Sequence, residues 1–403
     1  MCDSDIEVSV VMPCLNEAET IGICVDKALA AFANYQIVGE VVVADNGSTD
    51  SSKDIAYAKG ARVTEVQQRG YGAALADGIA KARGKFIVMG DADDSYDFSE
   101  VPKFIDRLRN GADFVIGCRF PRGGGNILPG AMPPLHRWLG TPVLTFLSAL
   151  FFQTRISDIN CGMRGFRKSA YERMAIRSLG MEFASEMVMK ASLLGLKTEE
   201  VPITLYPDGR KRRPHLRTWR DGWRHLRFML LYSPRWLFII PGTSLLIAGL
   251  AGVAILSTGP LRIGQVVFSL NSHVVSAMSA LLGFQILTFG LFAKSYALHQ
   301  GLLPSGRPTD RLLSLLRLEH TAIAGMLISL AGVGLLIWAV FIWQEAGFGQ
   351  LDPMEVPRIV IPSVTMIIFG AQFIFAGFIL GLLSLNPPET RYQSSSNSVD
   401  KER

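Results

Sequence analysis

Met89-Gly90-Asp91-Ala92-Asp93-Asp94 is the stretch of this 403-residue chain from which its fold and chemistry can be worked out. It begins at the end of a short apolar run, Phe86–Met89, which has the length and composition of a buried strand. Asp91 and Asp93 therefore stand at the carboxyl end of that strand. Carboxylates one residue apart are suited to holding a divalent metal ion against a diphosphate, because such ions prefer oxygen ligands.

Apolar runs and amphipathic segments alternate on both sides of this stretch, from residue 8 to residue 116. The pattern predicts five strands: Val8–Met12, Val41–Ala44, Arg62–Val66, Phe86–Met89 and Phe114–Ile116. It predicts four helices between them: Glu19–Phe32, Ser51–Lys59, Tyr71–Arg83 and Glu100–Arg109. Strands separated by helices imply an α/β fold with a mostly parallel sheet and right-handed crossovers. In such sheets, ligands bind beyond the carboxyl ends of the strands.

Polar residues gather at three of these strand ends. Pro13–Glu17 follow the first strand, Asp45–Asp50 follow the second, and Asp91–Asp93 follow the fourth. We expect the three acidic clusters to converge on one crevice. The alternative is that each cluster caps the N-terminus of the next helix, a position that Asp, Ser and Asn favour. For Ser48 and Asp50 the two interpretations are evenly balanced.

The second half of the chain carries apolar stretches of membrane-spanning length. Four spans are predicted, at about 236–256, 273–292, 322–342 and 359–382. The loops between them alternate in their content of Lys and Arg, and the N-terminus lacks an apolar signal region. These features predict a multi-pass protein of the plasma (inner) membrane, with the N-terminal domain and both termini in the cytosol.

The net charge of +5 comes from one segment. Residues 210–227 contain eight Arg or Lys and one acid, a net +7, which leaves the rest near −2. This basic segment lies directly before a predicted membrane span. Its position argues against nucleic-acid binding, for which basic residues would be spread over a folded face. Within this segment, His215–Tyr232 is predicted as an interfacial amphipathic helix or a plain positive-inside anchor. The predicted domains are 1–209, the basic segment 210–235, the membrane domain 236–385 and a disordered tail 386–403.

Two further segments allow two interpretations each. Trp138–Phe152 is too short to span a bilayer, so it is predicted as a helix on the membrane surface or a core helix. Glu182 and Glu186 share one face of a predicted helix at a spacing of four residues. They are candidates, with Asp158, for a base or an orienting carboxylate, and the alternative for the pair is a solvated helix face.

Four motifs in this order resemble those of the GT-A glycosyltransferases of family 2, in the branch of the dolichol (polyprenyl) phosphate mannose or glucose synthases. They are Val11–Glu17, Val43–Asp50, Asp91-Ala92-Asp93 and Asp158–Phe166. The resemblance covers about residues 6–232. It implies a Rossmann-like GT-A sheet, followed here by the α-helical domain of four spans.

The resemblance also implies a UDP- or GDP-hexose donor, Mg²⁺ or Mn²⁺, and a polyprenyl phosphate acceptor. Donor-binding residues carried over from the family are Pro13, Leu15, Glu17, Asp45, Asp91, Ala92 and Asp93, of which Asp91 and Asp93 hold the metal. Arg119 and Arg137 match acceptor-side arginines. Two departures concern the donor side: Leu15 replaces a frequent aromatic residue, and Asp94-Ser95 replace a frequent Leu-Gln pair.

A phosphate acceptor is already an anion near neutral pH, so its site needs cations more than a strong base. The predicted catalytic residues are Asp93, Asp158, Arg119 and Arg164. The predicted acceptor-phosphate ligands are Arg119, Arg137, Arg210, Arg212 and Arg213. Two alternatives stay open: a different lipid or polysaccharide acceptor, and a membrane scaffold or lipid-handling protein with a degenerate transferase domain. The oligomeric state is open too, a homo-oligomer included.

Overall fold

The computed structural model describes residues 6–209, 218–300, 318–350 and 355–384. The chain divides into two compact units, Met1–Leu231 and Tyr232–Arg403. The first unit carries the polar motifs of the sequence, and the second carries the apolar stretches.

A seven-stranded sheet forms the centre of the first unit, in the order β3-β2-β1-β4-β7-β5-β8. Its strands are β1 (Val8–Cys14), β2 (Gly39–Asp45), β3 (Arg62–Glu65), β4 (Phe86–Met89), β5 (Phe114–Cys118), β7 (Arg164–Arg167) and β8 (Thr198–Pro202). Two short strands, β6 (Asn126–Ile127) and β9 (Thr204–Leu205), pair separately. Every pairing of the large sheet is parallel except those of β7, which confirms the predicted mostly parallel α/β sheet.

Eight α-helices of the first unit fall within the described residues. They are α1 (Ile21–Asn34), α2 (Ser52–Ala58), α3 (Tyr71–Lys81), α4 (Val101–Arg109), α5 (Thr141–Phe152), α6 (Lys168–Met174), α7 (Glu182–Leu193) and α8 (Thr218–Leu231). The central strands are buried on both faces, as their apolar runs require. Cys14 pairs with Asp45 and Val11 pairs with Met89, so the ends of β1, β2 and β4 lie at one edge of the sheet.

Two strands of the large sheet, β8 and β7, were not predicted from the periodicity, and β7 is the more unusual of them. Its sequence, Arg-Gly-Phe-Arg, has no apolar run, and it lies antiparallel between β4 and β5. Arg164 is paired with Met89 on one side and Ile116 on the other, so this arginine sits in the middle of the sheet. Gly165 gives α4 room to pack, since a Cβ there would lie 3.2 Å from the Cβ of Phe104.

Among the described residues of the second unit, four helices are long and apolar enough to cross a membrane, as predicted. These segments are Arg235–Thr258, Leu270–His299, Leu318–Glu345 and Pro357–Leu383. The corresponding α-helices are α9 (Ile240–Thr258), α10 (Leu270–His299), α11 (Leu318–Glu345) and α12 (Pro357–Ser384). Gly325 lets α11 approach α12, because a Cβ there would lie 2.7 Å from a side-chain carbon of Ile374. Small residues at helix contacts are typical of membrane helix packing.

Candidate active site

Asp91 follows β4 directly and is held from two sides. The Tyr71 hydroxyl, at the first residue of α3, donates to Asp91 Oδ1 at 2.9 Å. On the other side, a Cβ at Gly162 would lie 2.8 Å from Asp91 Oδ2. The position of this carboxylate therefore depends on the phenol of Tyr71 and on the absence of a side chain at Gly162.

Asp93 is buried and lies in a tight turn. Its Oδ1 accepts hydrogen bonds from the backbone N of Ser95 at 3.1 Å and from the Ser95 hydroxyl at 2.5 Å. The intervening Asp94 has a φ of +59° and accepts from Lys27 Nζ at 2.7 Å. Thr20 Oγ1 donates to the carbonyl of Ala92 at 2.7 Å, which ties the motif to the residue before α1. These contacts fix the backbone of the whole motif.

Within the described residues, no three His, Cys, Asp or Glu side chains gather in a way that could hold a metal ion. The motif offers two carboxylates, Asp91 and Asp93, and no sulfur or imidazole. Mg²⁺ and Mn²⁺ accept such an oxygen donor set and commonly take their remaining ligands from substrate phosphates and water. The two carboxylates therefore fit a divalent ion that arrives with, or completes its shell on, a diphosphate.

The loops after β1 and β2 are bound to each other. Asp45 is buried, and its carboxylate accepts from the backbone N of Gly47 and of Ser48. Asn16, with a φ of +58°, donates its backbone N to Ser48 Oγ at 2.9 Å and accepts from the N of Thr49 at 2.7 Å. The two loops thus form one preshaped rim.

Asp50 lies in the turn before α2, where its carboxylate accepts from two backbone N–H groups. Asp50 Oδ1 accepts from the N of Ser52 at 3.0 Å, and its Oδ2 accepts from the N of Ala18 at 3.2 Å. Its role is therefore to fix the turn before α2. The side chains predicted to contact the donor nucleotide surround this rim: Pro13 is half-buried, Leu15 is exposed and Glu17 is buried.

Arg119 and Asp158 form a bidentate ion pair beside the end of β5. Arg119 Nε and Nη2 donate to Asp158 Oδ2 and Oδ1 at 2.6 and 2.8 Å, and the Arg119 backbone N donates to Oδ2 at 3.2 Å. Arg119 is 7% exposed and Asp158 is fully buried. Burial acts to lower the pKa of Arg119, but the charge of Asp158 holds that pKa well above its ordinary value. Asp158 is thus bound to the arginine through both oxygens, which orients a permanent cation.

Tyr96 links the Arg119–Asp158 pair to the segment that contains Asp91 and Asp93. Its hydroxyl accepts from the backbone N of Gly162 at 2.8 Å and from Arg119 Nη1 at 3.4 Å. Burial raises the pKa of Tyr96 well above its ordinary value, so the group stays a neutral phenol. The sequence interpretation missed both Tyr71 and Tyr96. A tyrosine three residues after Asp93 was the available signal, but nothing local showed that it points inwards.

Arg164 does not face an open site. It is fully buried, and its guanidinium donates to the carbonyls of Cys161 at 2.8 Å, Ile159 at 2.9 Å and Ala184. Burial lowers the pKa of Arg164. Arg164 was predicted as a catalytic residue, but the partners of its guanidinium are these three backbone carbonyls. The arginine instead holds the loop that follows Asp158.

Glu186 is neither solvated nor placed to act as a base. It is fully buried, pairs with Lys190 Nζ at 2.8 Å, and accepts from the backbone N of Ser178 at 2.8 Å. Burial acts to raise the pKa of Glu186, but the bonds from Lys190 and Ser178 keep it below its ordinary value. In the loop that Glu186 anchors, the carbonyl of Leu179 accepts from the backbone N of Ala73 at 3.1 Å. Glu186 therefore positions the start of α3, which carries Tyr71.

The helical segment that ends in α5 carries basic and apolar side chains. Burial, and after it the charge of Arg119, lower the pKa of His136. Arg137 stacks on Trp138 at 5.5 Å. Trp138 is 76% exposed and Phe146 is 65% exposed, so the segment is a surface helix rather than a core helix. Arg210, Arg212 and Arg213 lie outside the described residues.

The sheet, the carboxylates at its edge and the apolar helices define the class of the molecule: an α/β enzyme joined to helices of membrane-spanning length. Residues 9–175 match the protein family "Glycosyl transferase family 2". Residues 291–384 match the family "Glycosyltransferase family 2 C-terminal transmembrane region". The low-salt glycan biosynthesis hexosyltransferase Agl6 of Haloferax volcanii is 39% identical over 385 residues, 94% of this chain and 90% of that protein. The chain belongs to glycosyltransferase family 2 and is a membrane glycosyltransferase.

Two further similarities concern the N-terminal part of the chain. A dolichyl-phosphate hexose transferase of Haloferax volcanii is 29% identical over 198 residues, 49% of this chain and 82% of that protein. The structure of glucosyl-3-phosphoglycerate synthase from Mycobacterium tuberculosis with Mn²⁺, uridine-diphosphate and glucosyl-3-phosphoglycerate covers 56% of this chain and 79% of that chain. Its sequence identity is 21% and its TM-score is 0.43.

Proposed function

We propose that this enzyme transfers a hexose from UDP- or GDP-hexose to a polyprenyl phosphate at the cytosolic leaflet, by metal-assisted direct displacement. One observation carries the proposal: Asp158, the carboxylate best placed to act as a base, is bound through both oxygens to Arg119. The site therefore presents a fixed cation where a hydroxyl acceptor would need a base. A phosphate monoester, already anionic, needs only to be held and aimed.

On the donor side, the rim of Pro13, Leu15, Glu17 and Asp45 would hold the base and ribose. Asp91 and Asp93 would hold Mg²⁺ or Mn²⁺, which supplies Lewis-acid stabilisation of the charge that develops on the leaving diphosphate. The chain's own part is to fix these carboxylates, and the hydrogen bond from Tyr71 and the turn at Ser95 support that role.

On the acceptor side, Arg119 would receive the phosphate, with His136 and Arg137 beside it. Arg210, Arg212 and Arg213 follow in sequence directly after Gly209, whose backbone N donates to the carbonyl of Asp93 at 3.0 Å. At about 3.5 Å per residue, these arginines have the chain length to reach the reacting phosphates. The dolichyl-phosphate hexose transferase among the relatives supports a lipid phosphate acceptor.

The membrane arrangement is part of the same proposal. The exposed apolar side chains of α5 would rest on the lipid surface, together with α8, whose sequence carries the Arg and Trp residues of the basic segment. In this arrangement, α5 and α8 would together bring a bilayer-bound polyprenyl phosphate to Arg119. We place the catalytic domain and both termini in the cytosol, with 1–209, 210–235 and 236–385 as catalytic, juxtamembrane and membrane domains.

The test uses the purified full-length protein with Mg²⁺ or Mn²⁺, undecaprenyl or dolichyl phosphate, and a panel of radiolabelled UDP- and GDP-hexoses. We expect a single labelled lipid that mild acid hydrolyses to the free hexose, and no such product with Asp93→Asn. Asp106→Asn, a carboxylate on α4 away from the strand ends, is the matched control and should keep full activity. Transfer to a diacylglycerol or a growing polysaccharide, with none to polyprenyl phosphate, would refute the proposal.

A further inference from the structure

A β-hairpin joins the first two membrane-length helices and exposes apolar side chains. Strand β10 (Leu261–Ile263) pairs antiparallel with β11 (Val266–Phe268), and Gly264, with a φ of +61°, is the first of the two turn residues. Glycine at that position is typical of tight two-residue hairpins. The two strands form a sheet of their own.

The register gives the hairpin two unlike faces. Leu261 is paired with Phe268 and Ile263 with Val266, so these four side chains share one face. The opposite face carries Arg262 paired with Val267. The apolar face is open: Ile263 is 62% exposed and Val266 is 56% exposed. A two-stranded hairpin is at best marginally stable in water. An exposed apolar face of this kind therefore indicates contact with lipid or with another apolar surface.

We propose that the apolar face of this hairpin inserts into the lipid interface, as a second membrane anchor on the side opposite the junction with the catalytic unit. The occupant is lipid because the hairpin continues the apolar surface of two spans: α9 ends at Thr258 and α10 begins at Leu270. Only 11 residues, 259–269, lie between those helices. A three-residue strand extends about 10 Å, so the hairpin stays within the headgroup layer and the adjoining acyl boundary.

The depth of insertion is limited by the backbone. Both outer edges of a two-stranded hairpin carry unpaired N–H and C=O groups, which are not tolerated in the hydrocarbon core. The hairpin therefore lies flat at the interface, where water and headgroups satisfy its edges. Arg262, on the opposite face, then points towards water and lipid phosphates, as basic side chains at membrane interfaces do.

The test compares two positions of similar exposure on opposite faces, Ile263 and Val267, which is 52% exposed. Ile263→Cys and Val267→Cys are made in full-length protein that also carries Cys2→Ser, labelled with an environment-sensitive fluorophore, and reconstituted into phosphatidylethanolamine/phosphatidylglycerol vesicles. The remaining cysteines, Cys14, Cys24, Cys118 and Cys161, are buried. The protein that carries Cys2→Ser and no added cysteine measures background labelling. Unchanged thermal melting of both variants shows that the fold is intact.

We expect the label at 263 to be quenched several-fold more by doxyl-labelled lipids than the label at 267, and the label at 267 to be quenched more by aqueous iodide. Equal iodide quenching at both positions would overturn the proposal, because the hairpin would then stand in water. Protection of position 263 from both quenchers would also overturn it, since a second copy or another protein would cover the face. Equal lipid quenching at both positions would rule out the one-sided contact.

Discussion

Replacement of Arg119 by methionine tests the central feature of the site. Arg119→Met keeps an unbranched side chain but removes the guanidinium, and so leaves the fully buried Asp158 without its cation. Removing one partner of a buried ion pair costs about 3–5 kcal/mol of unfolding free energy. For a domain of this size, each kcal/mol lowers the melting temperature by about 2–4 °C, so we expect a fall of about 6–20 °C. Loss of a fixed charge-stabilising donor should lower kcat about 10²–10³-fold.

The double variant Arg119→Met/Asp158→Asn separates the two effects. It removes the uncompensated charge and keeps an oxygen that can accept from the backbone N of residue 119, so most of the lost thermal stability should return. The transfer activity should not return, because the cation is still missing. Arg107→Met is the matched control: its exposed pair with Glu199, at 3.4 Å, contributes only about 0–1 kcal/mol. If the stabilised double variant transferred hexose at the native rate, Arg119 would not be the acceptor's cation.

Three other substitutions test the groups that hold the site. Tyr96→Phe removes the oxygen that accepts from the N of Gly162, so we expect a loss of about 1–3 kcal/mol in chemical denaturation and a raised KM for the lipid acceptor; an unchanged KM would contradict the link to the acceptor side. Gly162→Ala would place a Cβ 2.8 Å from Asp91 Oδ2, so half-maximal activity should need several-fold more Mg²⁺ or Mn²⁺, measured by metal titration of the rate. Glu186→Gln removes the carboxylate partner of the buried Lys190, which then keeps its bond to the carbonyl of Ala175, and should cost about 3–5 kcal/mol. Because the folded-state pKa of Glu186 is lowered, its stabilisation is present above the unfolded pKa and is lost as the pH falls through the folded one. The native protein should therefore lose melting temperature on acidification more steeply than the variant, and parallel curves would count against this assignment.

The parallel half of the fold could be predicted because its signals are local. Each run such as Phe86–Met89 is apolar over the whole strand and is followed by polar residues, and the observed strand has the predicted bounds. The four apolar helices are predictable for the same reason. Strand β7 lacks any local signal: Arg164 is paired between two buried strands, and its charge is satisfied by carbonyls that come from other parts of the chain.

The sequence predicts the carboxylates of the candidate site but not the residues that hold them. Asp91 and Asp93 are recognisable by their spacing and by their position after a strand, and their role as metal ligands stays a prediction. The roles of Asp158 and Glu186 depend on which cation each one meets, Arg119 in one case and Lys190 in the other. An isolated carboxylate in a sequence does not reveal its partner, so a base, an orienting group and a structural anchor give the same local pattern.

In the proposed function, the insertion of β7 between β4 and β5 would separate the two negative reactants. Neighbouring strands lie about 4.8 Å apart, so β4 and β5, with β7 between them, run about 10 Å apart. Asp91 and Asp93 follow β4, and Arg119 follows β5 directly. A direct displacement places the attacking and leaving oxygens on opposite sides of one carbon, with the attacking oxygen about 3–3.5 Å from it beforehand. A gap of two strand spacings would accommodate a sugar with a phosphate at each side. In this proposal, the antiparallel strand that carries Arg164 sets the distance between the donor and acceptor subsites.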